Sequence, residues 1–354
     1  MTNNNEPLRS VHTLNFPQIL DQLQISLVVS TYQAGKVILL RADGEKINTH
    51  FRTFNKPMGL TGDRACIAIG TAYEIIELYN MPAVAAKLEP VGKHDACYIP
   101  RNLHVTGDID IHEMARANEE LWFVNTRFSC LCTLDPAYSF VPRWRPPFIS
   151  ALGLEDRCHL NGLGVANNRP QYVTALGETD EPQGWRENKA KGGILMDIES
   201  NTVIARGLSM PHSPRWYGET LWVLESGKGS LATVDLKGGK VETVAEFPGF
   251  TRGLAFYGPL AFVGLSQVRE TATFSGIPLT ERLTERICGV WVFNIQTGEA
   301  IAFLRFEDAV QEIFAVEVLP DIRSPEILQG DEERLAHSYA LPDGALRDVI
   351  PINN

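Results

Sequence analysis

Residues 212–247 read HSPRWYGETLWVLESGKGSLATVDLKGGKVETVAEF. A short opening segment, His212-Ser-Pro-Arg-Trp216, leads into three runs rich in β-branched and aromatic residues: TLWVLES, SLATVDL and KVETVAEF. The last two are split at Lys237-Gly-Gly239, where a tight hairpin needs positive φ. No helical period intervenes, so the unit is a small antiparallel sheet. The same unit recurs along the chain. Its opening segments are Lys56-Pro-Met-Gly-Leu60, Asp110-Ile-His-Glu-Met114, His159-Leu-Asn-Gly-Leu163, His212–Trp216, Phe250-Thr-Arg-Gly-Leu254 and Glu312-Ile-Phe-Ala-Val316. Their mean spacing is about 51 residues, close to the length of a four-stranded propeller blade.

The last unit is incomplete, because Pro320 and Ser324-Pro325 follow it and no further hairpin does. The N-terminus supplies three strands with no opening segment: SLVVSTY, KVILLRADG and INTHFRTF. The fold class expected is therefore all-β, a six-bladed β-propeller whose last blade is closed by N-terminal strands. The expected layout is a lead-in over 1–24, the propeller over 25–319 and a tail over 320–354. The lead-in carries one short helix, apolar at Phe16, Ile19, Leu20 and Leu23 on a single face. A barrel of alternating strands and helices is disfavoured by the scarcity of helices.

Composition narrows the function classes. Of 354 residues, 32 are Lys or Arg and 43 Asp or Glu, for a net charge of −11. An acidic surface disfavours nucleic acid and anionic membranes as partners. No apolar run reaches the ~18–20 residues a bilayer span needs, and the N-terminus does not resemble a secretory signal. The expectation is a cytoplasmic protein with a small-molecule or peptide substrate. The six cysteines are irregularly spaced and lack a CxxC pair, which predicts free thiols.

In a propeller the first strand of every blade lines the central channel. The aligned openings read Lys56, Asp110, His159, His212, Phe250, Glu312, and two residues on Met58, His112, Asn161, Pro214, Arg252, Phe314. Three of the chain's eight histidines fall in these twelve positions, about tenfold above chance. Converging imidazoles with a carboxylate suit a borderline divalent metal such as Fe, Zn, Mn or Cu. The expected ligands are His112, His159, His212 and Glu312, with Asp110 beside them. Glu312, Arg252 and Asp110 are the expected catalytic groups: Glu312 as ligand or base, Arg252 as anion clamp. Long loops after the second strands, Glu178–Lys191 and Gln267–Arg286, are placed to overhang the same face. Arg127, Asn161, Glu178, Trp185, Arg186 and Arg269 are the expected substrate contacts. Two function classes follow: a metal-dependent enzyme acting on a small metabolite or peptide side chain, and a non-catalytic propeller that binds a peptide or protein. A third is a metal-free hydrolase or lyase using His and Glu as acid and base.

The stretches VNTRFSCL, ALGETDEPQGWRENKAKGG, LWVLESGKGSL, FVGLSQVRE and CGVWVFNIQTG resemble a bacterial conserved-hypothetical family predicted to be β-propellers, sometimes fused to tetratricopeptide repeats. The resemblance covers about residues 15–330 and implies the fold alone. More distantly the blade pattern is similar to the gluconolactonase and strictosidine-synthase-like propellers, which hold calcium with carboxylates and Asn. Histidines stand where those ligands are expected here, so that chemistry does not carry over.

Overall fold

The computed structural model describes residues 8–268 and 275–347. Six antiparallel sheets are arranged as propeller blades. Counting from the innermost strand outward, blade 1 is Leu60–Gly62, Cys66–Gly70, Glu74–Asn80 and Ala96–Val105. Blade 2 is Ile111–Ala117, Glu120–Asn125, Cys130–Asp135 and Tyr138–Trp144. Blade 3 is Leu160–Ala166, Arg169–Ala175, Gly193–Asp197 and Thr202–Leu208. Blade 4, the opening stretch, is Pro211–Tyr217, Thr220–Glu225, Ser230–Val234 and Val241–Glu246. Blade 5 is Phe250–Tyr257, Leu260–Ser266, Cys288–Asn294 and Glu299–Phe306. Blade 6 takes its inner strand, Ala315–Pro320, from the C-terminal side and its outer three, Ile25–Thr31, Lys36–Asp43 and Lys46–Thr53, from the N-terminal side. The expected closure is thus present, in register from Ile25 opposite Pro320 to Ser30 opposite Ala315.

Burial explains the residue choice strand by strand. Second strands lie between neighbouring blades and are covered on both faces, so Ile25–Thr31 and Leu260–Ser266 are buried throughout. They read as continuous apolar runs, as doubly covered strands do. Outer strands such as Tyr138–Trp144 face solvent and carry polar residues. The blade 4 hairpin turns as its sequence predicts: the Asp235 carboxylate accepts from the Lys237 and Gly238 amides, and Gly239 sits at φ 65°.

Segments outside 25–319 also join the sheets. Ser10–His12 adds a fifth strand to the outer edge of blade 5. The helix Asn15–Leu23 buries Phe16 and Leu20 against the core beneath it. Pro325–Ile327 adds a parallel fifth strand to blade 1. All six cysteines are buried and free; Cys130 and Cys132 share a face with sulfurs 3.5 Å apart.

Candidate functional site

At one end of the channel a cavity of about 290 Å³ opens where the inner strands begin. Inner strands from blades 2, 4 and 5 deliver His112, His212 and Arg252 to it, and His159 joins them from the residue just before the inner strand of blade 3. Trp185, Phe250, Phe314, Leu176, Met58 and Met210 supply apolar wall.

The three imidazoles are held alike. His112 Nδ1 lies 3.0 Å from the Asp110 carbonyl oxygen and 2.8 Å from Thr126 Oγ1, whose own proton goes to the Leu160 carbonyl at 2.7 Å. His212 Nδ1 lies 2.9 Å from the Met210 carbonyl and 2.9 Å from Ser226 Oγ. A carbonyl only accepts, so Nδ1 carries the proton in both rings and Nε2 keeps its lone pair. His159 Nδ1 donates to the Asp156 carboxylate at 2.9 Å, with the same result. Burial pushes the imidazoles of His112 and His212 well below their ordinary range, so both are neutral bases. The His112 and His159 rings meet edge to face, centroids 4.8 Å apart.

These contacts revise the alignment of blade 4. His212 occupies the position of His112: each stands two residues after the carbonyl it bonds and fourteen before the hydroxyl it bonds. Met210, at φ 45°, is the true counterpart of Asp110 (φ 56°) and His159 (φ 51°). The sequence frame set His212 two residues early because Pro214 and Met58 gave no basis to choose between registers.

Arg252 reaches the cavity from a bulge in its strand, where pairing slips between Thr251 and Leu254. Its guanidinium carbon lies 3.6 Å from the centre of the Phe314 ring. Among the described residues it makes no hydrogen bond or ion pair, and burial lowers its pKa. Lys56 and Asp110 at the rim neutralise each other at 3.1 Å.

The two long loops meet over the cavity. In the first, the short turn Gly184–Asn188 buries Trp185, whose ring meets His159 at a tilt, centroids 4.5 Å apart, and which donates to Asp156 at 3.1 Å. Arg186 lies over the outer face of Trp185. In the second, Ile277 and Leu279, at the helix Pro278–Arg282, pack with Trp185, Leu176, Met210 and Phe250.

Other expected residues stand elsewhere. Glu178 pairs with Arg206 on the outer strand of blade 3, and Arg127 with Asp108, each at 2.7 Å; neither lines the cavity. Glu312 is not in the wall either; Tyr32 donates to it, and Tyr32 lines the cavity in its place. Asn161 lies one layer deeper, beneath the histidines. Arg269 lies outside the described residues. Among the described residues no three His, Cys, Asp or Glu side chains are arranged to hold a metal ion. The carboxylates expected to complete a ligand set are engaged by Lys56 and Tyr32.

Two contributors escaped the sequence reading. Asp156 stands three residues before His159 in a loop no strand pattern marks. Tyr32 follows the second strand of blade 6, a position singled out in other blades but hidden here by the chain's circular closure.

With the ring and its channel established, a family model spanning residues 14–328 matches the chain. The chain belongs to DUF4915, a domain of unknown function. Among solved structures, this DUF4915 propeller is similar to a chain of a nidogen/laminin complex: 8% identity, 84% of this chain and 99% of that one covered, TM-score 0.51. It is also similar to a catalytically inactive virginiamycin B lyase from Staphylococcus aureus with quinupristin: 12% identity, 85% and 99% covered, TM-score 0.42. At such identities the likeness to the first is one of fold alone. No curated protein matches the DUF4915 chain in sequence. No helix among the described residues is long and apolar enough to cross a membrane.

Proposed function

We propose that the channel mouth binds a small organic carboxylate through Arg252 and acts on it by acid–base catalysis, with His159 as general base and Asp156 as its orienting partner. The observation that carries this reading is the Arg252 guanidinium, which stands in an apolar-walled cavity with no ion-pair partner among the described residues. A half-buried cation with no carboxylate in direct contact is costly, and an anionic ligand offsets that cost. The planar fork of Arg suits a carboxylate bidentately. A phosphate dianion suits the site less, because the Asp156 carboxylate lines the same wall. Lys56 adds no free charge, being paired with Asp110. The cavity lies at the lower end of the ~300–1,000 Å³ usual for small ligands, which favours a metabolite over a peptide.

The His159–Asp156 pair supplies the base. The carboxylate fixes the tautomer, leaves Nε2 bare and stabilises the imidazolium that forms when a proton is taken. Native mass spectrometry after incubation with a metabolite extract tests the reading. Wild type should retain a small carboxylate, and Arg252→Met should bind it about tenfold or more weakly. His159→Ala should keep the ligand but turn it over about 10²-fold or more slowly. Retention of a neutral or cationic compound, or equal retention by Arg252→Met, sinks the reading.

A further inference from the structure

Beneath the cavity a cleft of about 10 Å³ shares His112, His212, Arg252 and Phe314 with it and adds Asn161, Glu113 and Ser213. That is the room one water molecule needs. Asn161 is 2% exposed; its Oδ1 accepts from Thr174 at 2.7 Å, and its Nδ2 has no hydrogen-bond partner within the protein. An unmet donor so buried marks a place for an acceptor. The imidazoles of His112 and His212 also line the cleft, and their Nε2 atoms carry lone pairs and no protons. Glu113 does not compete, since Arg215 and the Leu163 amide take its oxygens.

We propose that this cleft is a binding site for one water molecule and that this water is the second reactant, so the reaction is hydrolysis of a carboxylic ester whose own carboxylate sits on Arg252. The inference rests on the Arg252 anion-binding part of the reading above, and it assigns the proton transfer to His112, which borders the cleft, in place of His159, which does not. Water alone among common small ligands offers two protons for the two Nε2 lone pairs and a lone pair for Asn161 Nδ2–H. Its second lone pair is left for the cavity above. The water oxygen bonds to the ester carbonyl carbon as one water proton passes to His112 Nε2. The tetrahedral oxyanion then collapses, the bond to the alcohol oxygen breaks, and the proton on His112 goes to that oxygen. Ester and water give acid and alcohol, with no redox change. Burial, which disfavours the charged imidazole, helps His112 release the proton again.

The test has a structural arm and a kinetic arm. A crystal structure of the unmodified protein, at a resolution that shows ordered waters, should place one water within hydrogen-bond reach of Asn161 Nδ2 and of Nε2 in His112 and His212. A cleft without that water, or one holding a metal ion, overturns the proposal. The kinetic probe is the para-nitrophenyl ester of succinic acid, an ester with a free carboxylate. Asn161→Leu, which removes the donor and blocks the cleft, should lower kcat about tenfold or more with KM little changed. Arg252→Met should chiefly raise KM. A probe that binds wild type, is lost by Arg252→Met and is never hydrolysed overturns the water while leaving the anion site standing. Equal kcat in wild type and Asn161→Leu also overturns it. Because the structural arm uses wild type, misfolding of the variant does not shield the proposal.

Discussion

Deeper in the channel, Glu113, Arg215 and Glu317 extend from the inner strands of blades 2, 4 and 6. Arg215 ion-pairs with Glu113 and donates to the carbonyls of Leu163 and Leu254. That leaves Glu317 the weaker share of the positive charge. Burial raises its carboxyl to about 8, with Arg215 opposing and the Glu113 charge adding to the rise. At neutral pH Glu317 is therefore protonated. From its ordinary 4.5 up to about 8 the unfolded chain has released this proton while the folded chain holds it. Folding stability from this group accordingly falls as pH rises through that window. Glu317→Gln should abolish that component and exceed wild type by about 1–3 kcal/mol above the window, where a buried charge is otherwise under-partnered. Melting profiles of the two proteins that run parallel with pH refute the assignment. These three residues were not singled out in the sequence, because a lone charge in a strand reads as solvent-facing. A signal was there nonetheless. Glu113, Arg215 and Glu317 are spaced by 102 residues each, twice the blade repeat, which places them on the inner strands of alternate blades.

At the scale of single strands, the bulge in Phe250–Tyr257 decides which way Arg252 points. Its neighbour Leu260–Ser266 carries Gly264 opposite the irregular pairing, and a Cβ there would lie 2.2 Å from the Arg252 carbonyl oxygen. Glycine is required for this close backbone approach. Gly264→Ala should push the Arg252 backbone away from its place over Phe314. The expected result is about tenfold weaker carboxylate retention, with a stability loss of about 1–3 kcal/mol from overpacking. Unchanged affinity in a folded Gly264→Ala protein refutes the link. Elements of this kind separate what the sequence disclosed from what it withheld. Alternation, hairpin turns and the 51-residue period report burial and backbone shape, and they recovered the six blades and the closing strand. A bulge shifts register by one or two residues without altering composition, so the frame that located the channel histidines misplaced His212. Asp156 was invisible for a related reason: an irregular loop has no period to betray which of its carboxylates turns inward.

For the molecule as a whole, ring closure and site assembly are one event. The last inner strand, Ala315–Pro320, pairs with Ile25–Thr31 from the other end of the chain, and the Phe314 amide donates to the Ser30 carbonyl at 2.8 Å. The same segment carries Phe314, on which Arg252 rests, and Glu312, which Tyr32 bonds across the closure. Just beyond it, Pro325–Ile327 crosses to blade 1 and holds the seam between blades 6 and 1. Glu326 there sits within 3.6 Å of Arg41, 2.9 Å of His50 and 2.6 Å of Arg52, all on outer strands of blade 6. Burial opposes ionisation of Glu326, but the His50 contact and Arg52 outweigh it and hold its pKa at about 2. The seam's contribution is therefore present above the ordinary 4.5 and is lost as pH falls toward about 2. Residues after Gly330 add the short helix Glu332–Ala336, which is exposed apart from Leu335, and the four-residue helix Asp343–Leu346. Two truncations then separate the roles. Ending the chain after Gly330 should leave one cooperative melt and carboxylate retention within about twofold of wild type. Ending it after Ile313 removes the inner strand, the Phe314 platform and the Glu326 seam together. That chain should lose both the cooperative transition and retention, because blade 6 is reduced to its three N-terminal strands and the edge of Ile25–Thr31 is left unpaired at the channel. Calorimetry and native mass spectrometry on the two truncated chains decide the matter. A cooperative, ligand-retaining protein that ends at Ile313 would mean that the ring and the site are not closed by the same strand.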